Sequence, residues 1–194
     1  MAYAARKTNL KQAVHIILFM TILATVTYAL SSLADNPSAQ ISKERLDIFY
    51  NTSTEVQFAG KEAAVEFFEK HLHKEFEGVM YVSSRLESAP LQKETIVLTK
   101  FEYLRDIKKA YEISKFDEIV NGIISFDIAD DGRSANIKDR TYTVASVPQE
   151  KSEGYNLRQF INCDKLYVLN DKDILQLKSS TCQVEGHMSK AHAL

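Results

Sequence analysis

Apolar and polar positions along this chain of 194 residues follow three successive patterns. Ala13 to Leu30 is apolar almost without interruption, broken by His15, a few threonines and Tyr28. From Ser42 to Ser114 apolar residues recur at helical spacing, interleaved with two short β-branched runs. From Gly122 onward they alternate with polar residues, the period of a strand with one buried face.

The first pattern predicts an N-terminal appendage. Arg6, Lys7 and Lys11 precede the apolar run with no acid among them, and Ser32 and Ala34 stand at minus 3 and minus 1 of a cut before Asp35, as a signal peptidase requires. Residues 1–34 therefore read as a signal peptide. The competing reading is an uncleaved N-terminal membrane anchor over 13–30, since that run approaches the minimum length of a span. Either way the basic flank stays in the cytoplasm and the body is exported. The expected division is 1–34 leader or anchor, 35–190 a single α+β domain and 191–194 a tail, with the bacterial periplasm or the extracellular space as the location.

The second pattern predicts three helices and two strands. Ser42 caps a helix running to Phe58 with Leu46, Phe49 and Val56 near one face, weakened at Asn51–Thr54, where Asn51, Thr52 and Ser53 also spell a glycosylation acceptor. In "GKEAAVEFFEKHLHKEFEG" the stripe Ala64, Phe68, Leu72 and Phe76 predicts a helix ended by Gly78. "VMYVSSRL" and "ETIVLT" read as strands around the turn "ESAPLQK". Thr99 with Glu102 forms a capping box that opens a helix whose buried face carries Leu104, Ile107, Tyr111 and Ser114.

The third pattern predicts two hairpins. Ile124, Phe126 and Ile128 alternate with Ser125 and Asp127, the chain turns around Gly132, and Ala135 and Ile137 resume the apolar face. The apolar parity then moves to Tyr142 and Val144, which predicts a bulge near Asp139 or Arg140 that bends the strand. In "FINCDKLYVLNDKDILQLKSSTC" a turn with Asn170 opposite Asp173 makes Leu166 meet Leu177 and Val168 meet Leu175, and puts Cys163 and Cys182 on the other face with Cys163 opposite Ser180. A shift of two residues, or a bulge, would set the cysteines directly opposite, within the roughly 5.5 Å Cα spacing of a disulfide. In an exported chain a Cys163–Cys182 disulfide is expected; the alternative is two small buried thiols.

Composition narrows the function. Loss of Arg6, Lys7 and Lys11 with the leader takes the formal charge from −2 to −5, which disfavours nucleic acid and anionic membrane surfaces as partners. His71 and His73 would point to different faces of one helix, His187 and His192 lie near the C-terminus, and two sulfurs alone cannot fill a zinc tetrahedron. No HExxH, Gly-rich phosphate loop or GxSxG elbow occurs. Neither metal nor cofactor is expected.

Taken together, "EAAVEFFEKHL", "VLTKFEYLRDIKKAYE", "DIADDGRSANI" and "CDKLYVLNDKDILQLKSSTC" resemble the NTF2-like superfamily, which includes the SnoaL-like proteins, over about Leu46 to Val184. The resemblance implies a cone: N-terminal helices packed on a strongly curved antiparallel sheet enclosing an apolar pocket. It also implies where a carboxylate and a tyrosine would work together: Tyr103 and Asp106 on the capped helix, Tyr81 and Tyr142 on strands, and Asp139 at the bulge. An Asp beside a Tyr serves as base and oxyanion donor in proton transfer next to a carbonyl. The leading expectation is nonetheless noncatalytic, with Tyr103, Tyr111 and Tyr142 bordering a pocket for a small apolar ligand or serving a cell-envelope partner, and a homodimer as the assembly allowed. The alternatives are a SnoaL-like isomerase or dehydratase and a VirB8-like anchored assembly component.

Overall fold

A computed structural model describes residues 40–87, 89–148 and 154–190. The leader or anchor, the cut before Asp35 and the tail 191–194 lie outside the described residues. Among those that are described, no helix is long and apolar enough to cross a membrane. The chain runs α1 (Lys43–Ala59), α2 (Lys61–His71), β1 (Leu72–Leu86), β2 (Gln92–Thr99), α3 (Lys100–Ile113), β3 (Lys115–Ile128), β4 (Ser134–Val147), β5 (Tyr155–Leu169) and β6 (Leu175–Lys190). The fold is α+β, with the helices on one face of a six-stranded sheet ordered β2-β1-β6-β5-β4-β3. Every pairing is antiparallel except β1 with β6, which run parallel.

Local chemistry sets the helix ends. The Ser42 hydroxyl accepts from the Arg45 amide at the start of α1, and Thr99 and Glu102 form the expected capping box on α3. Gly60, at φ 117, lets α2 follow α1 directly through a conformation closed to other residues. Asn51–Ser53 stays helical, with Ser53 fully buried, so this triplet is part of a packed helix.

The helix expected to reach Gly78 stops at His71, and Leu72 and Phe76 belong to β1. Their backbone is claimed by the sheet, where Leu72 pairs with Leu177 and Glu77 with Ser179 across an irregular step. The Lys100 ammonium donates to the carbonyls of Glu69 and Leu72 at 2.6 and 2.8 Å, satisfying acceptors that the end of α2 leaves open.

β4 contains no bulge. Ala135, Ile137, Asp139, Thr141, Thr143, Ala145 and Val147 all face inward without a break, so what looked like a change of parity is polar residues on the buried face. The register shifts lie in β3, between Phe116 and Glu118 and between Ile123 and Ser125; Ile124 sits at the second and is exposed, while Ile123 packs inward. At the β3–β4 turn the Ile41 amide donates to the Gly132 carbonyl at 2.7 Å. Gly132 has φ 67, and a Cβ there would fall 2.6 Å from Gln40, so position 132 requires glycine twice over.

Cys163 pairs directly with Cys182 in β5–β6, with a Cα separation of 4.1 Å and a disulfide between them. The two residues of register needed come from two places. The turn carries one more residue than expected, making Leu169 the partner of Leu175, and a bulge between Leu166 and Tyr167 supplies the other. The same change exchanges the faces: Tyr167, Leu169, Leu175 and Leu177 point inward with the cysteines, and Leu166 and Val168 point outward, half-buried.

Candidate functional site: a polar band inside the sheet

Inward-facing residues of β4 are apolar at both ends and polar between, and on β5 Gln159 and Lys165 interrupt an otherwise apolar inner face. Ala135 and Ile137 belong to the main core with Ile161, Cys163, Tyr167 and Leu169, whereas Ala145 packs with Ala110, Phe116 and Ile119, and Val147 with Leu157 and Met188. Asp139, Thr141, Thr143 and Gln159 separate these clusters, each exposed by 1% or less.

Asp139 is the centre of the band's inner end. Its Oδ2 accepts from Lys165 Nζ at 2.5 Å and from the Tyr50 hydroxyl at 2.6 Å, and the Tyr167 hydroxyl donates in turn to Tyr50 at 3.4 Å. Both side chains of the ion pair are wholly buried. Three strand and helix positions deliver them: Tyr50 from the inner stripe of α1, Asp139 from β4, and Lys165 two residues from Cys163 on the inner face of β5. The Lys165 ammonium also lies 5.7 Å from the Tyr50 ring centroid. Burial lowers the Lys165 pKa and the Asp139 charge opposes that shift. Burial, reinforced by Asp139, pushes the phenols of Tyr50, Tyr103 and Tyr167 up, so all three remain protonated donors. Asp139 Oδ1 is buried without a hydrogen-bond partner.

Toward the other end the band passes to hydroxyls and amides. Thr141 and Thr143 Oγ1 are buried with no partner, which is uncommon for polar atoms in a core. Asn121 donates to Thr54 Oγ1 at 2.9 Å, Gln57 donates to the Ser53 carbonyl at 3.1 Å, and Tyr111 donates to the Gln57 carbonyl at 3.0 Å. His71, beside the main core, stacks on Phe67 with centroids 4.0 Å apart and places Nδ1 2.7 Å from the Leu175 carbonyl; burial lowers its pKa to about 4, so it is neutral.

The structure brings some of the expected residues together and disperses others. Asp139 and Tyr103 are inside, with Tyr103 packed edge-on against Phe68 and Phe76. Tyr111 borders the band. Tyr142 is on the outer face, its ring tilted against Phe160 with centroids 4.8 Å apart, because β4 keeps its parity. Asp106 pairs with neighbouring Arg105 away from the band, and Tyr81 faces outward. Tyr50, Lys165 and Tyr167 were not anticipated. Lys165 shares the parity of Cys163 and Tyr167, and that alternation is the signal that would have found it. Among the described residues, no cluster of three metal-ligating side chains occurs.

No protein-family model matches the chain, and no curated protein matches it in sequence. Solved structures do resemble it. A ketosteroid isomerase-like protein from Erwinia carotovora atroseptica is 13% identical with a TM-score of 0.44, over 68% of this chain and 85% of that one. An NTF2-like protein of unknown function from Prochlorococcus is 9% identical with a TM-score of 0.43, over 79% and 97%. ActVI-ORFA from Streptomyces coelicolor is 14% identical with a TM-score of 0.31, over 71% and 91%. Likeness at this level of identity concerns the fold alone.

Proposed function

We propose that this is an exported binding protein that holds a small ligand, apolar in body with a polar end, against Thr141, Thr143 and Gln159, and that it does not turn the ligand over. The observation that carries the proposal is the polar band itself: it lies between apolar clusters and includes two buried hydroxyls with no protein partner. A leaving-unsatisfied hydroxyl costs about 1–3 kcal/mol, which a ligand hydrogen bond would recover. The apolar ligand expected from the sequence thereby gains a polar end.

The ion pair supports binding over turnover. A base must be available to the substrate's proton, and one oxygen of Asp139 already holds an ammonium and a phenol. The disulfide and the basic, apolar N-terminal segment support export. N-terminal sequencing of the exported protein should begin at Asp35; a start at Met1 would favour the anchored, VirB8-like reading.

One observation favours proton transfer instead. Asp139 Oδ1 is unpartnered among three protonated tyrosines, an arrangement of base and donors. Native mass spectrometry of protein isolated from its host, followed by release of the bound molecule and incubation with fresh protein, separates the two readings. The binding reading expects a retained small molecule that is recovered chemically unchanged. Recovery of an isomerised or dehydrated product, lost in Asp139→Asn, would establish the enzyme reading.

A further inference from the structure

The outer face of the sheet carries a second, unrelated concentration of chemistry. Register places Lys93, Ser83, Glu185, Phe160 and Tyr142 in one row across β2, β1, β6, β5 and β4. Two residues along, Arg85, His187 and Arg158 form the next row on β1, β6 and β5. All of these residues but Tyr142 line a groove of about 620 Å³.

Arg85 and Arg158 flank His187 from the two strands beside it, two strand spacings or about 10 Å apart, so their charges face one groove without being directly opposed. Neither arginine, nor Lys93 or His187, makes an ion pair among the described residues. The groove contains one carboxylate, Glu185, against three fixed cations, so it is locally positive on a chain whose formal charge is −2. Phe160, 51% exposed and backed by Tyr142, provides an aromatic surface at its side.

We infer that this groove is a binding site for a small organic anion, a carboxylate or phosphate monoester with an aromatic body, independent of the interior band. The guanidinium groups of Arg85 and Arg158 take the anionic head, for which their planar forks are matched, and the ring lies on Phe160. The net negative charge of the whole chain disfavours long polyanions, and the groove's size suits a single compact molecule.

Phenyl phosphate, inorganic phosphate and phenol are the probes, with binding followed by calorimetry and by the His187 imidazole resonances. Phenyl phosphate should bind about tenfold more tightly than either inorganic phosphate or phenol, because only it uses both head and ring. Arg85→Ala with Arg158→Ala should weaken phenyl phosphate binding about tenfold or more at unchanged Tm, since both side chains are exposed and unpaired. Thr141→Val with Thr143→Val should leave it unchanged, which separates this site from the interior one. Undiminished binding in the arginine variant would overturn the assignment. So would equal affinity for inorganic phosphate, which marks an adventitious ion only, and so would association with phosphatidylglycerol vesicles without phenyl phosphate binding.

Discussion

β4 and β5 carry two Asp–Lys pairs on opposite faces, and the two differ in almost everything but residue type. Lys138 and Asp164 are direct cross-strand partners on the outer face, 3.5 Å apart, with side chains 65% and 68% exposed. Asp139 and Lys165 sit diagonally across the inner face, 2.5 Å apart and wholly buried. Outside, water solvates either charge alone, and the pair contributes little. Inside, neither charge is tolerable without the other, so the pair is a structural commitment. Oδ2 of the buried Asp139 carboxylate serves as an internal counter-ion, while Thr141 and Thr143 beside it keep hydroxyls without a protein partner.

Replacement of Lys165 by Met leaves a buried, uncompensated carboxylate and should cost about 3–5 kcal/mol in urea unfolding, while Asp139→Leu together with Lys165→Met should restore most of it. A loss below about 1 kcal/mol would mean that water reaches the inner pair as it does the outer one. The disulfide on the same inner face comes next. Cys163→Ala with Cys182→Ala should lower stability by about 3 kcal/mol on the chain-entropy account, and the unfolded, unreduced protein should show no reactive thiol.

His71 extends the comparison to pH. Its folded pKa is lowered to about 4 by burial, below its ordinary value, so the folded state disfavours its proton. Its contribution is present at pH 7 and is lost as pH falls from about 6.5 toward 4, amounting to about 2 kcal/mol between pH 7 and 5. Urea titrations at those two pH values should show that loss, and His71→Gln should reduce it. Smallest is the outer pair: Lys138→Met should change stability by less than about 1 kcal/mol, with the difference shrinking further in salt.

What the sequence disclosed follows the same division. Local devices were legible: the Thr99–Glu102 capping box, the Gly132 turn and the hairpin that joins the cysteines. The stripe Ala64, Phe68, Leu72 and Phe76 misled because a spacing of four residues satisfies a helix and a strand alike, and only pairing with β6 decides that the helix ends at His71. The inner band was hidden by the assumption that buried strand positions are apolar. Asp139, Thr141 and Thr143 continue the parity of Ala135 and Ile137 and lead to Ala145 and Val147, but read as polar they suggested a bulge. Lys165 was missed for the same reason, since a buried lysine is intelligible only once its carboxylate partner is placed beside it.

In the proposed binding role the hydroxyl end of the band holds the ligand and the ionic end only supports it. Thr141→Val with Thr143→Val removes both hydroxyls and keeps their shape, so native mass spectrometry of this variant beside the unaltered protein is the most direct test. The unaltered protein should carry a bound small molecule, and the variant should lose it while remaining at least as stable, because no protein hydrogen bond is given up. Equal occupancy in the two proteins, or an unaltered protein that carries nothing under conditions of native expression, would contradict it.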